Sequence, residues 1–178
     1  RPYVYGWLKT ALEALRGGMV RPGQVLAIAG EHACGKSLLQ NLITEILGGR
    51  SAKPFRYMTG ATQFNSDLFM AEHLMIEDEA ASTDLRTRKQ FGAKIKDFTV
   101  NEVQSCHGKN RAAISLKTFW RVTITLNDEA ENLMILPPIE ESLKDKIILL
   151  RANQAGMPMD TSQRVGRDKF WAALLAEL

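Results

Sequence analysis

The octapeptide GEHACGKS, residues 30–37, limits what this chain can fold into more than any other segment. It fits the pattern G-x-x-x-x-G-K-[ST], which joins a strand to a helix through a phosphate-binding loop. In such a loop the glycines allow backbone N–H groups to turn toward phosphate oxygens, and the start of the helix adds its positive dipole end. The segment therefore predicts a site for a nucleoside triphosphate, for which we expect ATP.

The sequences on both sides of this loop supply the strand and the helix that the pattern requires. The run QVLAIAG predicts a buried strand, and SLLQNLITEIL repeats apolar pairs every four residues, as a helix does. A chance glycine-rich turn, the alternative, does not require these two neighbours. The residues expected to bind the nucleotide are Gly30, Glu31, His32, Ala33, Cys34, Gly35, Lys36, Ser37 and Leu38.

Four of these residues have specific expected roles. Gly30 and Gly35 should supply the backbone angles that turn the N–H groups inward. The Lys36 side chain should face solvent and reach the terminal phosphates, contributing little to the core. The hydroxyl of Ser37 should join the ligands of Mg²⁺.

Composition places the chain in a broad class. With 178 residues, 45% of them hydrophobic and 24% charged, it fits one α/β domain, and its net charge of +3 is too small by itself to imply nucleic acid. Two cysteines are too few for a disulfide framework, which predicts a reducing, cytoplasmic setting. No apolar run reaches the roughly 20 residues that span a bilayer, so we expect no membrane partner. The chain begins with Arg1, which indicates a fragment of a longer protein.

Further along the chain, strand-like and helix-like segments alternate. A helix is predicted before Gly17, another over residues 84–98, where Phe91, Ile95 and Phe98 recur at helical spacing, and a closing helix near the end. Three later strands are predicted at HLMIEDEA, FWRVTITLN and KIILLRA. We therefore predict a single domain over residues 1–178, with an N-terminal helix at 1–22, a core at 23–151 and a C-terminal helical tail at 152–178.

Three acids follow the second predicted strand. Glu77, Asp78 and Glu79 come directly after an apolar run, and three adjacent carboxylates repel one another unless a cation lies among them. A magnesium triphosphate site needs such acids beside the phosphate loop. We predict that Asp78 holds Mg²⁺ together with Ser37 and that Glu79 is the general base. Glu77 is the alternative candidate for these roles. A solvated acidic turn is the alternative.

Asn127 ends the third predicted strand, FWRVTITLN. Its neutral amide can orient the attacking water or contact the terminal phosphate. It can equally serve as the N-cap of a helix in DEAENLMIL. The role of Asn127 at the phosphate and a capped helix in DEAENLMIL are compatible if Asp128 is the N-cap.

Between the acids and Asn127 lies the insert VNEVQSCHGKNRAAISL. Two short alternating stretches flank a glycine-bearing segment, which predicts a β-hairpin with a basic tip. Exposed cations on such a tip can bind phosphates. We expect His107, Lys109 and Arg111 to contact nucleic acid, while an ordinary solvated turn is the alternative.

The glycine loop, the acids in LMIEDEA, the basic hairpin and the strand ending TLN together resemble the superfamily 3 helicases of the AAA+ class. The resemblance is to the helicase part of phage and plasmid primase-helicases, and it extends from about residue 23 to residue 151. It implies a three-layer P-loop NTPase fold, with a central parallel sheet, helices on both faces and an inserted basic β-hairpin.

The resemblance also implies a function. Members of this family form hexameric rings, hydrolyse ATP and move single-stranded DNA through a central channel, usually 3′ to 5′, in DNA replication. His107 and Lys109 match the histidine and lysine that line the channel, whereas Arg111 is added from its charge and position. The full-length protein is then expected to be a homo-hexamer, with a primase domain possible on the same chain.

One position departs from the family pattern. An arginine is expected after the asparagine strand, where it reaches the phosphate bound by the neighbouring subunit. Lys146 occupies that position, and lysine lacks the two-pronged geometry of arginine. Lys146 can act as a point charge, Arg151 or Lys144 can replace it, or the site is slow or inactive.

Three other classes of protein share part of these features. A non-helicase AAA+ ATPase, of the loader or transposition type, has the loop, the acids and the asparagine. A nucleotide-gated binding module with weak hydrolysis agrees with the lysine at position 146. A small-molecule phosphotransferase has the loop but no use for a basic hairpin.

Overall fold

The structure is a computed structural model that describes residues 2–77, 79, 84–160 and 162–177. The strands are β1 (Val25–Gly30), β2 (Ser51–Ala52), β3 (His73–Glu77), β4 (Val103–Cys106), β5 (Ile114–Lys117), β6 (Arg121–Asn127) and β7 (Ile147–Ala152). The helices are α1 (Pro2–Gly17), α2 (Lys36–Ile46), α3 (Phe55–Met58), α4 (Leu85–Val100), α5 (Ala130–Leu133), α6 (Glu141–Lys144) and α7 (Arg164–Leu175), with a 3₁₀ turn at Leu68–Met70.

Within the described residues, five strands form one parallel sheet in the order β2-β3-β6-β1-β7. Because all five run in the same direction, their carboxyl ends meet at one edge, which we call the carboxyl edge. Gly30 pairs in register with Asn127 and with Ala152, and Glu77 pairs with Thr125. The sheet therefore brings the glycine loop, the acidic end of β3 and Asn127 to the same edge.

Two apolar clusters cover the two faces of this sheet. One cluster joins β6 to α4 and includes Val122, Ile124, Leu126, Phe91, Ile95 and Phe98. The other joins β1 to α1 and α2 and includes Leu26, Ile28, Trp7, Ala11, Ile43 and Leu47. Alternate strand residues point to opposite faces, so the helices form layers on both sides of the sheet. The predicted α/β architecture with helices on both faces is confirmed.

The face that packs on α2 is polar where β6 and β3 lie. Thr123 and Thr125 of β6 point toward α2, and His73 of β3 is completely buried beside them. One ring nitrogen of His73, Nδ1, lies 2.7 Å from Thr44 Oγ1, and the other, Nε2, lies 2.8 Å from Thr123 Oγ1. Burial lowers the pKa of His73 to about 4, so its ring is neutral at physiological pH.

Several boundaries differ from the sequence prediction. The helix α4 runs two residues beyond Phe98 and begins after Asp84, whose carboxylate accepts hydrogen bonds from the N–H groups of Arg86 and Thr87. The short elements β2, α3 and α6 were not predicted, because two to four residues carry too little periodicity to be recognised. In the described part of the chain, no helix is long and apolar enough to cross a bilayer.

We expect acid to destabilise the protein through His73. Its pKa is about 4 in the folded chain, against an ordinary value of 6.5. Between these two values the unfolded chain binds a proton that the folded chain does not. The free energy of unfolding should therefore fall as the pH falls from about 6.5 to about 4, by about 3 kcal/mol in all. Chemical denaturation at several pH values in this window measures the effect.

The variant His73→Gln is the control, because its side chain does not titrate and keeps a donor and an acceptor for the neighbouring hydroxyls. Its free energy of unfolding should depend less on pH over the same window. Equal pH dependence in the variant and the wild type would assign the acid sensitivity to other groups.

Candidate nucleotide site and hairpin surface

The loop between β1 and α2 has the geometry of an anion site. Gly35 precedes the first residue of α2 and lies in the left-handed region, with φ of 93°. Ala33 lies there too, with φ of 60°. The free N–H groups of the first turn of α2 and the positive end of its dipole therefore face the loop, where they favour a negatively charged ligand. The backbone role expected for Gly35 agrees with this geometry.

Gly30 is needed for a different reason from the one predicted. It lies in extended backbone at the end of β1, outside the left-handed region. A Cβ atom at this position would lie 2.5 Å from the carbonyl oxygen of Ala152 and 3.0 Å from Cys34 Sγ. The close approach of β7 thus requires glycine here, and the expectation of an unusual backbone angle at Gly30 was wrong.

Lys36 is buried, although the sequence predicted a solvent-facing side chain. Only 9% of its surface is exposed. Its ammonium donates hydrogen bonds to the carbonyl oxygens of Gly30 at 2.8 Å and Glu31 at 2.7 Å, and to Asn127 Oδ1 at 3.2 Å. Three oxygen acceptors match its three protons, and Cys34 Sγ lies 3.7 Å from the same nitrogen, so the amine is held at the base of the loop. Replacement of Lys36 would therefore disturb the loop itself as well as phosphate binding.

Asn127 contacts the loop lysine and does not cap a helix. The following helix, α5, begins at Ala130 and has Glu129 in the N-cap position, without a side-chain cap. Asp128 instead accepts a hydrogen bond from Arg151 at 3.1 Å. Both capping interpretations were therefore wrong, because the chain continues for two residues beyond β6 before it turns into the helix.

The acids lie at the carboxyl end of β3, and β6 separates this strand from β1 and its loop. Glu77 is the last residue of β3 and its carboxylate lies 4.0 Å from Lys53 Nζ. Glu79 is half-buried, and Asp78, the predicted magnesium ligand, lies outside the described residues. Ser37, the other predicted ligand, is exposed. Among the residues that the structure describes, no three His, Cys, Asp or Glu side chains are grouped to hold a metal ion.

A cleft of about 440 Å³ opens over the loop. It is lined by His32, Ala33, Cys34, Gly35, Lys36, Ser37, Leu38, Thr125, Asn127 and Arg167. Seven of the nine residues predicted to bind nucleotide lie on its wall, and the other two, Gly30 and Glu31, supply carbonyl oxygens to Lys36.

Arg167 on α7 was missed by the sequence analysis. It lies one turn before Trp171 and two turns before Leu174, in line with the apolar residues of the C-terminal helix, but an arginine in the first turn of a helix does not by itself indicate phosphate binding. Only the packing of α7 places it on the wall of the cleft, where it adds a second positive charge.

The three candidates for the expected arginine lie in different places. Lys146 directly precedes β7 and donates to Asp145, and it lies six positions before Ala152, which is level with Gly30. At about 3.3 Å per residue, Lys146 lies about 20 Å from the loop of its own chain. Arg151 lies at the carboxyl edge, bound to Asp128, and Lys144 is exposed and pairs with Glu141. Lys146 therefore does not reach the loop of its own chain.

The inserted hairpin is present and its tip is basic. The strands β4 and β5 pair in antiparallel register from Val103 with Lys117 to Cys106 with Ile114. Lys109 and Arg111 are both exposed on the tip. Asn110, rather than the glycine, takes the left-handed conformation, with φ of 58°.

His107 is held against a neighbouring loop. The backbone N–H of His107 donates to Asn65 Oδ1 at 2.8 Å, and Asn65 Nδ2 donates to the Ser105 carbonyl at 2.9 Å. The His107 ring lies edge-on to Phe64, with the ring centres 5.3 Å apart. Asn65 is almost completely buried, and no pattern in the sequence predicts that it anchors the hairpin. His107 therefore lies at the base of the tip and not among its exposed cations.

Comparisons with known proteins identify a family and a fold. No curated protein matches the chain. Residues 28–142, well over half of the chain, match the family of unknown function DUF5906. Two solved structures of the NrS-1 C-terminal region superpose with TM-scores of 0.71 and 0.68 at 17% and 16% identity, each covering 98% of this chain and 40% of that one.

A structure of JCV helicase gives a TM-score of 0.54 at 11% identity, covering 87% of this chain and 41% of that one. At these identities the comparisons show a shared fold, a central parallel sheet flanked by helices. The chain spans about 40% of the length of the structures that it matches.

We expect the charge at position 127 to control nucleotide affinity. Asn127→Asp would place a carboxylate next to the Lys36 ammonium, where it would pair with the lysine and repel phosphate. The affinity for a magnesium-bound, non-hydrolysable ATP analogue should then fall by at least about tenfold. Asn127→Ala removes one acceptor and adds no charge, so its affinity should stay within about threefold.

Isothermal titration calorimetry of the two variants measures this difference, and their melting temperatures check that both remain folded. If the aspartate and alanine variants bound the analogue equally well, the contact between Lys36 and position 127 would have no influence on phosphate binding.

Proposed function

We propose that this chain, which belongs to the DUF5906 family, is the ATP-hydrolysing motor domain of a superfamily 3 DNA helicase of the phage or plasmid type. The observation that carries the proposal is the position of the basic hairpin. It is inserted between β3, which ends in acids, and β6, which ends in Asn127 beside the loop lysine. The shared fold with JCV helicase supports the same conclusion.

The cleft over the loop is suited to a triphosphate. The N-terminus of α2 faces it, Lys36 lies at its base, and Arg167 lies on its wall. These groups offer positive charge and N–H donors at fixed positions, which is how proteins bind and orient phosphate groups. A magnesium ion bound with ATP would neutralise phosphate charge, and the exposed Ser37 hydroxyl and the Asp78 carboxylate are the oxygen donors that would hold it.

Hydrolysis also requires that a water molecule be oriented and deprotonated. Glu79 is our candidate for the general base, because a half-buried carboxylate close after β3 lies near the carboxyl edge. Asn127 cannot accept that proton, but its amide can hold the water or the terminal phosphate. Its contact with Lys36 links the carboxyl end of β6 to the loop.

The hairpin is the proposed contact with single-stranded DNA. Lys109 and Arg111 project from the tip, and the rings of Phe64 and His107 lie together at its base. Cations that contact the backbone bind without sequence preference, and aromatic rings can stack on bases. The hairpin joins β6 at its amino end, away from the nucleotide cleft. DNA binding and ATP binding therefore use opposite ends of the same strand.

The place of Lys146 supports an assembly of several copies. It lies at the amino end of β7, about 20 Å from the loop of its own chain, so a contact with phosphate needs the loop of a neighbour. We propose a homo-hexameric ring in the cytoplasm, in which each nucleotide lies between two subunits. The chain covers only 40% of the NrS-1 structures, which leaves room for a primase or another domain in a longer protein.

A nucleotide-gated binding module with weak hydrolysis is the second candidate. The lysine at position 146 favours it, because lysine lacks the two-pronged contact that an arginine makes with a transferring phosphate. Measurement of the ATPase rate with and without single-stranded DNA separates the two. Turnover that rises with DNA supports the motor, whereas nucleotide-dependent DNA binding without turnover supports the module.

We expect Glu79→Gln to stop hydrolysis without weakening nucleotide binding. The amide has the shape of the carboxylate but cannot accept the proton of the attacking water, so turnover should fall by about a hundredfold or more. Steady-state ATPase rates and calorimetric binding of an ATP analogue measure the two quantities. Glu77→Gln is the matched control, because Glu77 pairs with Lys53. If Glu77→Gln stopped turnover and Glu79→Gln did not, Glu77 would be the base.

We expect the double variant Lys109→Ala/Arg111→Ala to lose DNA binding and keep its fold. Both side chains are exposed, so the free energy of unfolding should change by less than about 0.5 kcal/mol for each. Each lost phosphate contact should lower the slope of log affinity against log salt by roughly 0.7 for a single strand. The basal ATPase rate should remain and its stimulation by DNA should disappear.

The control is Lys9→Ala/Arg16→Ala on α1, which removes the same charge from two other exposed positions. Fluorescence anisotropy with labelled single-stranded DNA at several salt concentrations compares the three proteins. If both double variants lost affinity equally, the effect would come from net charge, and the hairpin would not be the DNA contact.

A further inference from the structure

The inward face of α2 carries polar side chains at every fourth position. Lys36, Gln40 and Thr44 are all buried, with 9%, 0% and 7% of their surfaces exposed. Residues four apart lie on the same side of a helix, so these three form one stripe. Buried helix faces are normally apolar, and the rest of the buried face of α2 is apolar, with Ile43 in the core beside Leu47, which directly follows the helix. The stripe is therefore an exception that needs a reason.

A second row of polar side chains faces this stripe. Alternate residues of β6 point toward α2, and the first residue of β3 lies beside them. We call the two rows together the polar ladder, which consists of Lys36, Gln40, Thr44, His73, Thr123, Thr125 and Asn127.

Each residue of the α2 stripe has its own partners in the facing row. Lys36 donates to Asn127 Oδ1 at 3.2 Å. Gln40 Nε2 donates to Thr123 Oγ1 at 2.8 Å, and Gln40 Oε1 accepts from Thr125 Oγ1 at 3.0 Å. These contacts join residues 83 to 91 positions apart in the chain.

The last contact of the ladder is made by Thr44, whose hydroxyl lies against the ring of His73, and that ring also reaches Thr123. Gln40 Nε2 adds a bond to the Ile76 carbonyl at 3.3 Å, so α2 is tied to β3 as well as β6. Among the described residues, no buried side-chain nitrogen or oxygen is without a partner.

Such a network adds little net stability compared with apolar side chains of the same size. What it adds is geometric specificity. A shift of α2 by one residue moves it by about 1.5 Å along its axis and would break every contact in the ladder. Apolar side chains tolerate small shifts far better. The ladder therefore fixes the position of α2 along β6.

We propose that Gln40 is a positioning residue for ATP hydrolysis. It binds Thr123 and Thr125 one helical turn from Lys36, and thereby fixes where the loop lysine meets Asn127 at the end of β6. This inference rests on the proposed function, because it assigns the ladder a role in that reaction. Gln40 itself is completely buried and does not line the nucleotide cleft.

The test replaces Gln40 with methionine, which has a similar length and no hydrogen-bonding amide. We expect kcat to fall by about tenfold, because small displacements of reacting groups have large kinetic effects. The affinity for a magnesium-bound, non-hydrolysable ATP analogue should change by less than about twofold. Amide hydrogen exchange in α2 should become faster, since its contacts with β6 are lost.

Thr99→Val is the matched control. Thr99 is also buried, but its hydroxyl bonds only to the helix α4 around it. This variant deletes a buried hydroxyl outside the ladder, so it reports the cost of a lost buried hydrogen bond alone. The double variant Gln40→Met/Thr125→Val removes both partners of one contact and leaves no hydroxyl unsatisfied, and it replaces Gln40→Met if that protein does not fold. Because Thr125 lines the cleft, Thr125→Val alone is then the reference for kcat and analogue affinity.

The inference is supported if kcat falls and α2 exchange rises in the Gln40 variants but not in Thr99→Val. It is overturned if Gln40→Met behaves like Thr99→Val, or if analogue affinity falls by the same factor as kcat, since Gln40 would then shape the binding site instead. If the wild-type protein shows no ATPase activity, the proposed function fails. The exchange rates then decide by themselves whether the ladder fixes α2.

Discussion

The parallel pairing of β6 with both β1 and β3 is the constraint on which the rest of this structure depends. It brings Asn127 level with Gly30 on one side and Thr125 level with Glu77 on the other. The glycine loop, the amide and the acidic strand end therefore share one edge, although they are far apart in the sequence. A shift of β6 by one residue would also exchange its two faces, so the register cannot change without loss of the core.

The two faces of β6 have different consequences. On one face Val122, Ile124 and Leu126 pack against α4 and stabilise the fold through apolar burial. On the other face hydroxyl groups bind α2, and they specify its position more than they stabilise it. The amino end of β6 adjoins the hairpin and its carboxyl end adjoins the cleft. The strand β6 thus connects the proposed DNA-binding surface with the proposed nucleotide-binding cleft.

Much of this arrangement was predictable because its signals are local. Gly35, Lys36 and Ser37 are set by spacing within eight residues, and apolar runs predicted the four long strands of the sheet. The hairpin followed from two short alternating stretches around a glycine, and its exposed cations are where the sequence placed them. The carboxyl edge followed from the rule that parallel strands end together. The sequence by itself thus determined the fold class, the loop and the basic tip.

Only the tertiary structure decided how these parts meet. Lys36 is buried because Asn127, 91 positions away, and two loop carbonyls supply its acceptors. Gly30 is required by the carbonyl of Ala152 in β7, Arg167 reaches the cleft through the packing of α7, and Asn65 anchors the hairpin from a separate loop. None of these contacts leaves a periodic or local pattern in the sequence. They arise when elements distant in the chain pack together, and hydrogen bonds between such elements depend on distances that no local spacing specifies.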